Sequence, residues 1–126
     1  DVKFWIPAKL DNNDITIYGD GSQTRTFCYV QNNVEATIKA AFSDEYVNQT
    51  INIGNDIETS ILELAKLIIR LTGSSSKIVH LPPLEEGDMT RRKPDITKMK
   101  QLLGNNKIYT LEEGLKKVLS NTSFIL

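Results

Sequence analysis

Two arginines are the residues of this chain best suited to chemistry. Arg25 follows the run Tyr18-Gly19-Asp20-Gly21-Ser22-Gln23-Thr24, and Arg92 stands within Arg91-Arg92-Lys93-Pro94-Asp95. A guanidinium stays charged at any physiological pH, and its planar fork meets two oxygens of a phosphate or carboxylate at once. Gly19 and Gly21 let the backbone turn sharply and come close to a ligand. The pattern suits an anion, with phosphate the natural choice. The turn also fits a plain β-hairpin whose Arg25 pairs with a surface carboxylate, and a short motif alone does not separate the two.

Other side chains offer less. His80 sits between Val79 and Leu81 with no second histidine in the chain, and catalysis needs a constellation, so it reads as structural. Cys28 is the only cysteine, which excludes an internal disulfide, and its apolar strand predicts a buried thiol in a reducing cytoplasm. Glu85, Glu86 and Asp88 lack the alternating ligands of a calcium loop. Arginine is a poor general acid, because its pKa of about 12 or more is far from operating pH. An arginine in this segment can therefore act only by binding and electrostatics, and on residue type alone Arg91-Arg92-Lys93 reads as a solvated basic cluster before a helix.

The elements that must position these residues are legible from patterning. Residues 15–18 and 24–30 read as strands flanking the turn, 50–53 as a short strand and 77–81 as another. Val34, Ile38, Ala41 and Phe42 are spaced for one face of a helix over 33–42. Ser60-Ile61-Leu62-Glu63 and Thr110-Leu111-Glu112-Glu113 are capping boxes opening two further helices, the first stopped by Gly73. Asp95 is placed as the cap of a helix ending before Gly104, and residues 4–10 as a short helix despite Pro7. The polar stretch 84–93 reads as a ligand loop. The predicted fold is α/β: one small mixed domain over residues 1–126, with short strands and four to five helices.

Composition sets outer bounds. With 126 residues, 40% of them hydrophobic, the chain has the size of one domain with one core. A net charge of −1 argues against non-specific binding of nucleic acid, which needs a strong positive field. No apolar run approaches the roughly 20 residues that span a bilayer, so no membrane partner is expected.

Five ordered blocks carry a resemblance to a known family. They are Tyr18 to Val30, Ile51-Asn52-Ile53-Gly54-Asn55, Ser60-Ile61-Leu62-Glu63-Leu64-Ala65, Arg91-Arg92-Lys93-Pro94-Asp95-Ile96 and Leu111-Glu112-Glu113-Gly114-Leu115. In that order they resemble the C-terminal, substrate-binding part of the extended short-chain dehydrogenase/reductase (NAD-dependent epimerase/dehydratase) family, nearest to its UDP-glucuronate decarboxylases. Members bind NAD on a Rossmann fold through a Gly-x-Gly-x-x-Gly turn opening a helix. Here Gly19-Asp20-Gly21 leads into a strand instead. The family's Tyr-x-x-x-Lys pair is also missing, since Tyr18, Tyr29, Tyr46 and Tyr109 are followed four residues on by Ser22, Asn33, Thr50 and Glu113.

The resemblance implies a substrate-binding domain, inactive alone, that takes a UDP-sugar and partners the N-terminal NAD-binding half of a cytoplasmic, homodimeric parent enzyme. NAD would belong to the full-length enzyme and not to this stretch. Arg25 matches the arginine that contacts the diphosphate, with Tyr18 and Gln23 beside it and the backbone of Thr16 and Ile17 at the uracil edge. Arg92 matches an arginine by the sugar. The family reaction oxidises the sugar at C4, releases the carboxylate as carbon dioxide and reduces the ketone again. A nucleotide-sugar 4,6-dehydratase or 4-epimerase is the alternative within the family, and a non-catalytic binding module is the alternative outside it. Gln31-Asn32 stands where relatives commonly carry acidic residues.

Overall fold

The computed structural model describes residues 13–83 and 91–121, so the expected helix over 4–10 and most of the expected ligand loop lie outside the described residues. Among the described residues, four strands form two separate two-stranded sheets. β1 (Ile15–Tyr18) pairs in parallel with β4 (Ile78–Leu81), Ile17 lying opposite His80. β2 (Thr24–Thr26) pairs antiparallel with β3 (Glu58–Ser60), Arg25 lying opposite Thr59. The glycine turn therefore does not close a hairpin. It carries the chain from one sheet to the other.

Four α-helices accompany the strands: α1 (Val30–Ala41), α2 (Ile61–Thr72), α3 (Thr97–Leu103) and α4 (Leu111–Ser120). α2 and α4 begin at reciprocal capping boxes: Ser60 Oγ accepts from the Glu63 amide at 3.1 Å while Glu63 Oε2 accepts from the Ser60 amide at 2.9 Å, and Thr110 and Glu113 repeat the pattern. Gly73, at φ 64°, supplies the left-handed stop of α2. Asp95 is displaced by one position from its expected place. Its carboxylate accepts from the amide and hydroxyl of Thr97, and Ile96 occupies the boundary position.

The core is split in two. Ile15 and Ile17 of β1 pack on Leu64, Ala65 and Ile68 of α2, and Ala36 of α1 packs with Ile96, Met99 and Leu103 on the α3 side. Each cluster joins elements far apart in sequence. Fully buried Asn32 links α1 to the stretch before α4, its Nδ2 donating to the Lys107 carbonyl at 2.7 Å and its Oδ1 accepting from the Tyr109 amide at 2.9 Å.

Three further expectations are corrected. The second strand stops at Thr26 rather than continuing to residue 30, because its partner β3 is only three residues long. Residues 50–53 form no strand, since the described residues provide no neighbour to pair with. The helix expected over 33–42 begins earlier, at Val30, and its apolar residues Val34, Ile38 and Phe42 are exposed while the buried positions are Asn32 and Ala36.

Candidate functional site

β1 delivers the chain to the turn with its two edges in different states. The Ile15 amide donates to the Lys77 carbonyl at 2.8 Å and the Gly19 amide to the Leu81 carbonyl at 2.9 Å. Strand alternation therefore turns the backbone of Ile15, Ile17 and Gly19 toward β4, and that of Thr16 and Tyr18 toward the opposite edge. No strand pairs with that edge among the described residues. Ile17 is thus committed twice, by its backbone to β4 and by its side chain to the core. Thr16 keeps an outward-facing peptide edge, and Tyr18 is half exposed beside it.

The turn is held from several sides. Gly19 and Gly21 have φ of 69° and 76°, the left-handed region that favours glycine. The Ser22 amide donates to Asp20 Oδ1 at 2.9 Å, a bond that lowers the Asp20 pKa from its ordinary value. His80 Nδ1 lies 2.8 Å from the Gly19 carbonyl, so this nitrogen carries the proton and donates. At the far end, Gln23 Nε2 donates back to the Tyr18 carbonyl at 3.2 Å. The amides of Ile61 and Leu62, at the start of α2, donate to the carbonyls of Gln23 and Gly21, each at 3.0 Å. A helix N-terminus does point at this turn, although the turn leads into a strand. Its leading donors are occupied by turn carbonyls, which leaves them unavailable to a pyrophosphate. This turn therefore does not fit the pyrophosphate of NAD.

Arg25 leaves β2 half buried, with Nη1 donating to the Thr24 carbonyl at 2.8 Å. On the other face of the same ribbon, Glu58 binds three donors: Thr24 Oγ1 at 2.9 Å, Arg91 Nε at 2.7 Å and Arg91 Nη2 at 2.6 Å. The Arg91 guanidinium holds the Glu58 carboxyl at about 2, well below the usual carboxylate range. Arg91 is itself pushed upward by the same pair.

This pair ties the segment bearing Arg92 to the ribbon bearing Arg25. Three residues later the segment is held again. Pro94 sits against Gly54, where an added Cβ would come within 3.3 Å of Pro94 Cγ, and Asn52 Nδ2 donates to the Asp95 carbonyl at 3.1 Å. Arg92 and Lys93 lie exposed between these anchors, beside a shallow concavity of about 340 Å³ lined by Asp56, Lys93, Pro94 and Lys100 among others. Lys100 Nζ closes on Asp56 Oδ2 at 2.6 Å, a bond that lowers the Asp56 pKa. Sequence reasoning picked out Arg25 and Arg92 but missed the Glu58–Arg91 pair. Its partners are 33 residues apart, and no local pattern joins them.

Elsewhere the site is sparse. Cys28 is half buried, its Sγ donates weakly to the Tyr29 carbonyl at 3.6 Å, and burial pushes its thiol pKa up. The described residues contain no cluster of three metal-ligating side chains. No helix among them is long and apolar enough to cross a membrane.

A small mixed α/β unit with this order of short strands and helices corresponds to the C-terminal part of extended short-chain dehydrogenase/reductase structures. The family model described as GDP-mannose 4,6 dehydratase matches residues 2–118, and the chain belongs to that family. It is 46% identical over 121 residues to a UDP-N-acetyl-alpha-D-glucosaminuronate decarboxylase of Bacillus cytotoxicus, a match covering 91% of this chain and 37% of the relative. It is 41% identical over 118 residues to UDP-glucuronic acid decarboxylase 1 of Xenopus tropicalis, covering 94% of this chain and 27% of that one. Among solved structures, a UDP-glucose 4-epimerase of Thermotoga maritima with UDP-glucose is similar at a TM-score of 0.85 and 32% identity, over 98% of this chain and 39% of the epimerase. A UDP-glucuronic acid 4-epimerase of Bacillus cereus, in complex with UDP-glucuronic acid and NAD, is similar at a TM-score of 0.79 and 28% identity, over 96% of this chain and 38% of the other. The chain thus spans well under half the length of these relatives.

Proposed function

We propose that residues 1–126 form the nucleotide-sugar-binding domain of an NAD-dependent enzyme that decarboxylates a UDP-linked uronic acid, with UDP-glucuronate as the expected substrate, and that the domain is inactive alone. The observation that carries this reading is the Glu58–Arg91 tie, which fastens the Arg92 segment to the ribbon presenting Arg25. Arg25 takes the diphosphate, replacing lost hydration with charge-assisted bonds. Arg92 takes the sugar side and orients its carboxylate electrostatically. The free peptide edge of Thr16 meets the base, Ile17 acts only as the buried rail behind it, and Tyr18 and Gln23 flank the nucleotide. NAD, the catalytic Tyr/Lys pair and the homodimer contacts belong to the remainder of the enzyme, which we place in the cytoplasm. The activities for which the two decarboxylase relatives above are named favour decarboxylation over the epimerase alternative.

Titration of the chain with UDP and then UDP-glucuronate, followed by backbone amide shifts, tests the assignment. Shifts are expected at residues 16–25 and 91–93, with weak affinity because one wall of the pocket is supplied from elsewhere. Arg25→Ala and Arg92→Ala should each weaken binding about tenfold, in line with the loss of a charge-assisted hydrogen bond. Unchanged affinity in both variants sinks the assignment.

A further inference from the structure

The proposed nucleotide site is shared between two sheets. The Thr16 peptide edge belongs to the β1–β4 sheet and Arg25 to the β2–β3 ribbon, and the described strands form those two sheets separately. The distance between the base-facing edge and the arginine is therefore set by the turn over residues 19–23, not by a strand ladder. A ligand that touches both ends at once is sensitive to that distance, because the second contact forms readily only when the first already presents it at the right place.

The turn is fastened at its two ends by different means. Toward Arg25, the Leu62 and Ile61 amides of α2 donate to the Gly21 and Gln23 carbonyls, each at 3.0 Å. Those donors are main chain and survive a change of side chain. Toward Thr16, Gly19 is gripped twice by β4: its amide donates to the Leu81 carbonyl at 2.9 Å, and its carbonyl accepts from His80 Nδ1 at 2.8 Å. The Leu81 contact ends the strand ladder, and the His80 bond carries the grip one peptide further, onto the plane between Gly19 and Asp20.

His80 is exposed, so this bond adds little to global stability and acts chiefly on where the turn leads. An Nδ1–H is present both in the neutral tautomer that makes the bond and in the charged ring, so the grip does not depend on the charge of the imidazole. We infer that His80 is a positioning residue: through the Gly19 carbonyl it sets the span between the Thr16 edge and Arg25, and so lets one nucleoside diphosphate reach both. The inference rests on the proposed function for the ligand and adds a residue that acts through the turn.

Amide-shift titrations of the chain with UDP, uridine and inorganic pyrophosphate separate the two ends from the span. His80→Phe keeps a ring suited to a strand and removes the donor. It should weaken UDP about tenfold, the effect of losing one hydrogen bond, while uridine and pyrophosphate, each needing one end only, stay within about twofold. His80→Asn, whose Nδ2 is attached to Cγ as Nδ1 is, should bring UDP affinity back to within about threefold of the unsubstituted chain. Unchanged UDP affinity in His80→Phe overturns the inference, and so does an equal loss for all three ligands, which would mean a general loosening. His80→Asn as weak as His80→Phe overturns the hydrogen bond as the cause, as does a neutral His80 ring carrying its proton on Nε2 in long-range nitrogen–proton spectra. Arg25→Ala keeps the two claims apart: pyrophosphate binding retained in that variant overturns the reading of the site, whereas pyrophosphate binding lost there beside unchanged UDP affinity in His80→Phe overturns the role of His80 alone.

Discussion

Arg91 closes on both carboxylate oxygens of Glu58, and Thr24 donates to one of them as well, so a single acidic side chain joins β3, β2 and the segment before α3. The pair is exposed on its arginine side, so it counts more for geometry than for bulk stability. Its consequence is positional. Arg92 is held one residue from a fixed point, which lowers the entropy lost when it grips an anion.

A pH dependence follows from the same contact. The Glu58 carboxyl titrates at about 2 in the folded chain against an ordinary 4.5. A carboxylate depressed on folding contributes stability that is fully present above 4.5 and is lost as pH falls toward about 2. Carbon-detected titration of the Glu58 side chain should give a midpoint near 2, moving up toward 4.5 in Arg91→Ala. Glu58→Gln should speed amide exchange at Arg92 and Lys93 while leaving the middle of α2 protected. An unmoved Glu58 midpoint in Arg91→Ala contradicts the pairing.

Asn32 offers a sharper stability test, because its amide donates to the Lys107 carbonyl and accepts from the Tyr109 amide from a fully buried position. Asn32→Ala leaves a carbonyl and an N–H without those partners. Each unsatisfied group costs about 1–3 kcal/mol when buried, so the variant should lose at least about 2 kcal/mol in urea unfolding. A loss below about 0.5 kcal/mol, the usual range for innocuous surface changes, contradicts the bridging role.

What the sequence made legible was local. Ser60 with Glu63 and Thr110 with Glu113 announce their helices because each capping box is complete within four residues. Gly19 and Gly21 likewise announce a turn through backbone conformations that other residues resist. Pairing was not legible. β1 chooses β4 across more than sixty residues, and β2 chooses β3 rather than its neighbour β1. The helical period of Val34, Ile38 and Phe42 identified an apolar face correctly, but periodicity is silent about whether the matching layer lies in the same stretch of chain. Arg25 and Arg92 were found by type and family resemblance. Glu58 was not, because a glutamate before a capping serine has no distinguishing mark.

The two capping boxes make a paired prediction. Ser60→Ala and Thr110→Ala each remove the acceptor for the third helical amide and the hydroxyl that donates to the glutamate, while the cap residue's backbone N–H stays in place. Each should cost about 1 kcal/mol. Glu113 also accepts from Lys107 at 2.6 Å and titrates at about 2, chiefly because of that contact, with the Thr110 hydroxyl a minor cause, whereas Glu63 is lowered first by the Ser60 amide and next by the Ser60 hydroxyl that alanine lacks. Ser60→Ala should therefore raise the Glu63 midpoint more than Thr110→Ala raises that of Glu113. The reverse order would show that the helix caps do not set these carboxyls as the contacts require.

Gly21 and Gly19 have nearly the same backbone conformation but unequal surroundings, and that difference is measurable. A Cβ on Gly21 would lie 3.0 Å from Leu62 Cβ and 3.2 Å from the Leu62 backbone nitrogen, the atom whose N–H donates to the Gly21 carbonyl. Among the described residues, a Cβ on Gly19 would meet only Pro83 Cβ, at an ordinary 3.7 Å. Both alanines bear the left-handed penalty of about 1–2 kcal/mol, and Gly21→Ala adds a clash with backbone that cannot rotate away. Gly21→Ala should therefore be the more destabilising by about 1 kcal/mol or more, as read from thermal or urea unfolding. It should also weaken UDP binding more than Gly19→Ala, because pushing the turn off the start of α2 displaces the strand that carries Arg25. Equal losses in the two variants would mean that contact with α2 does not hold the turn in place.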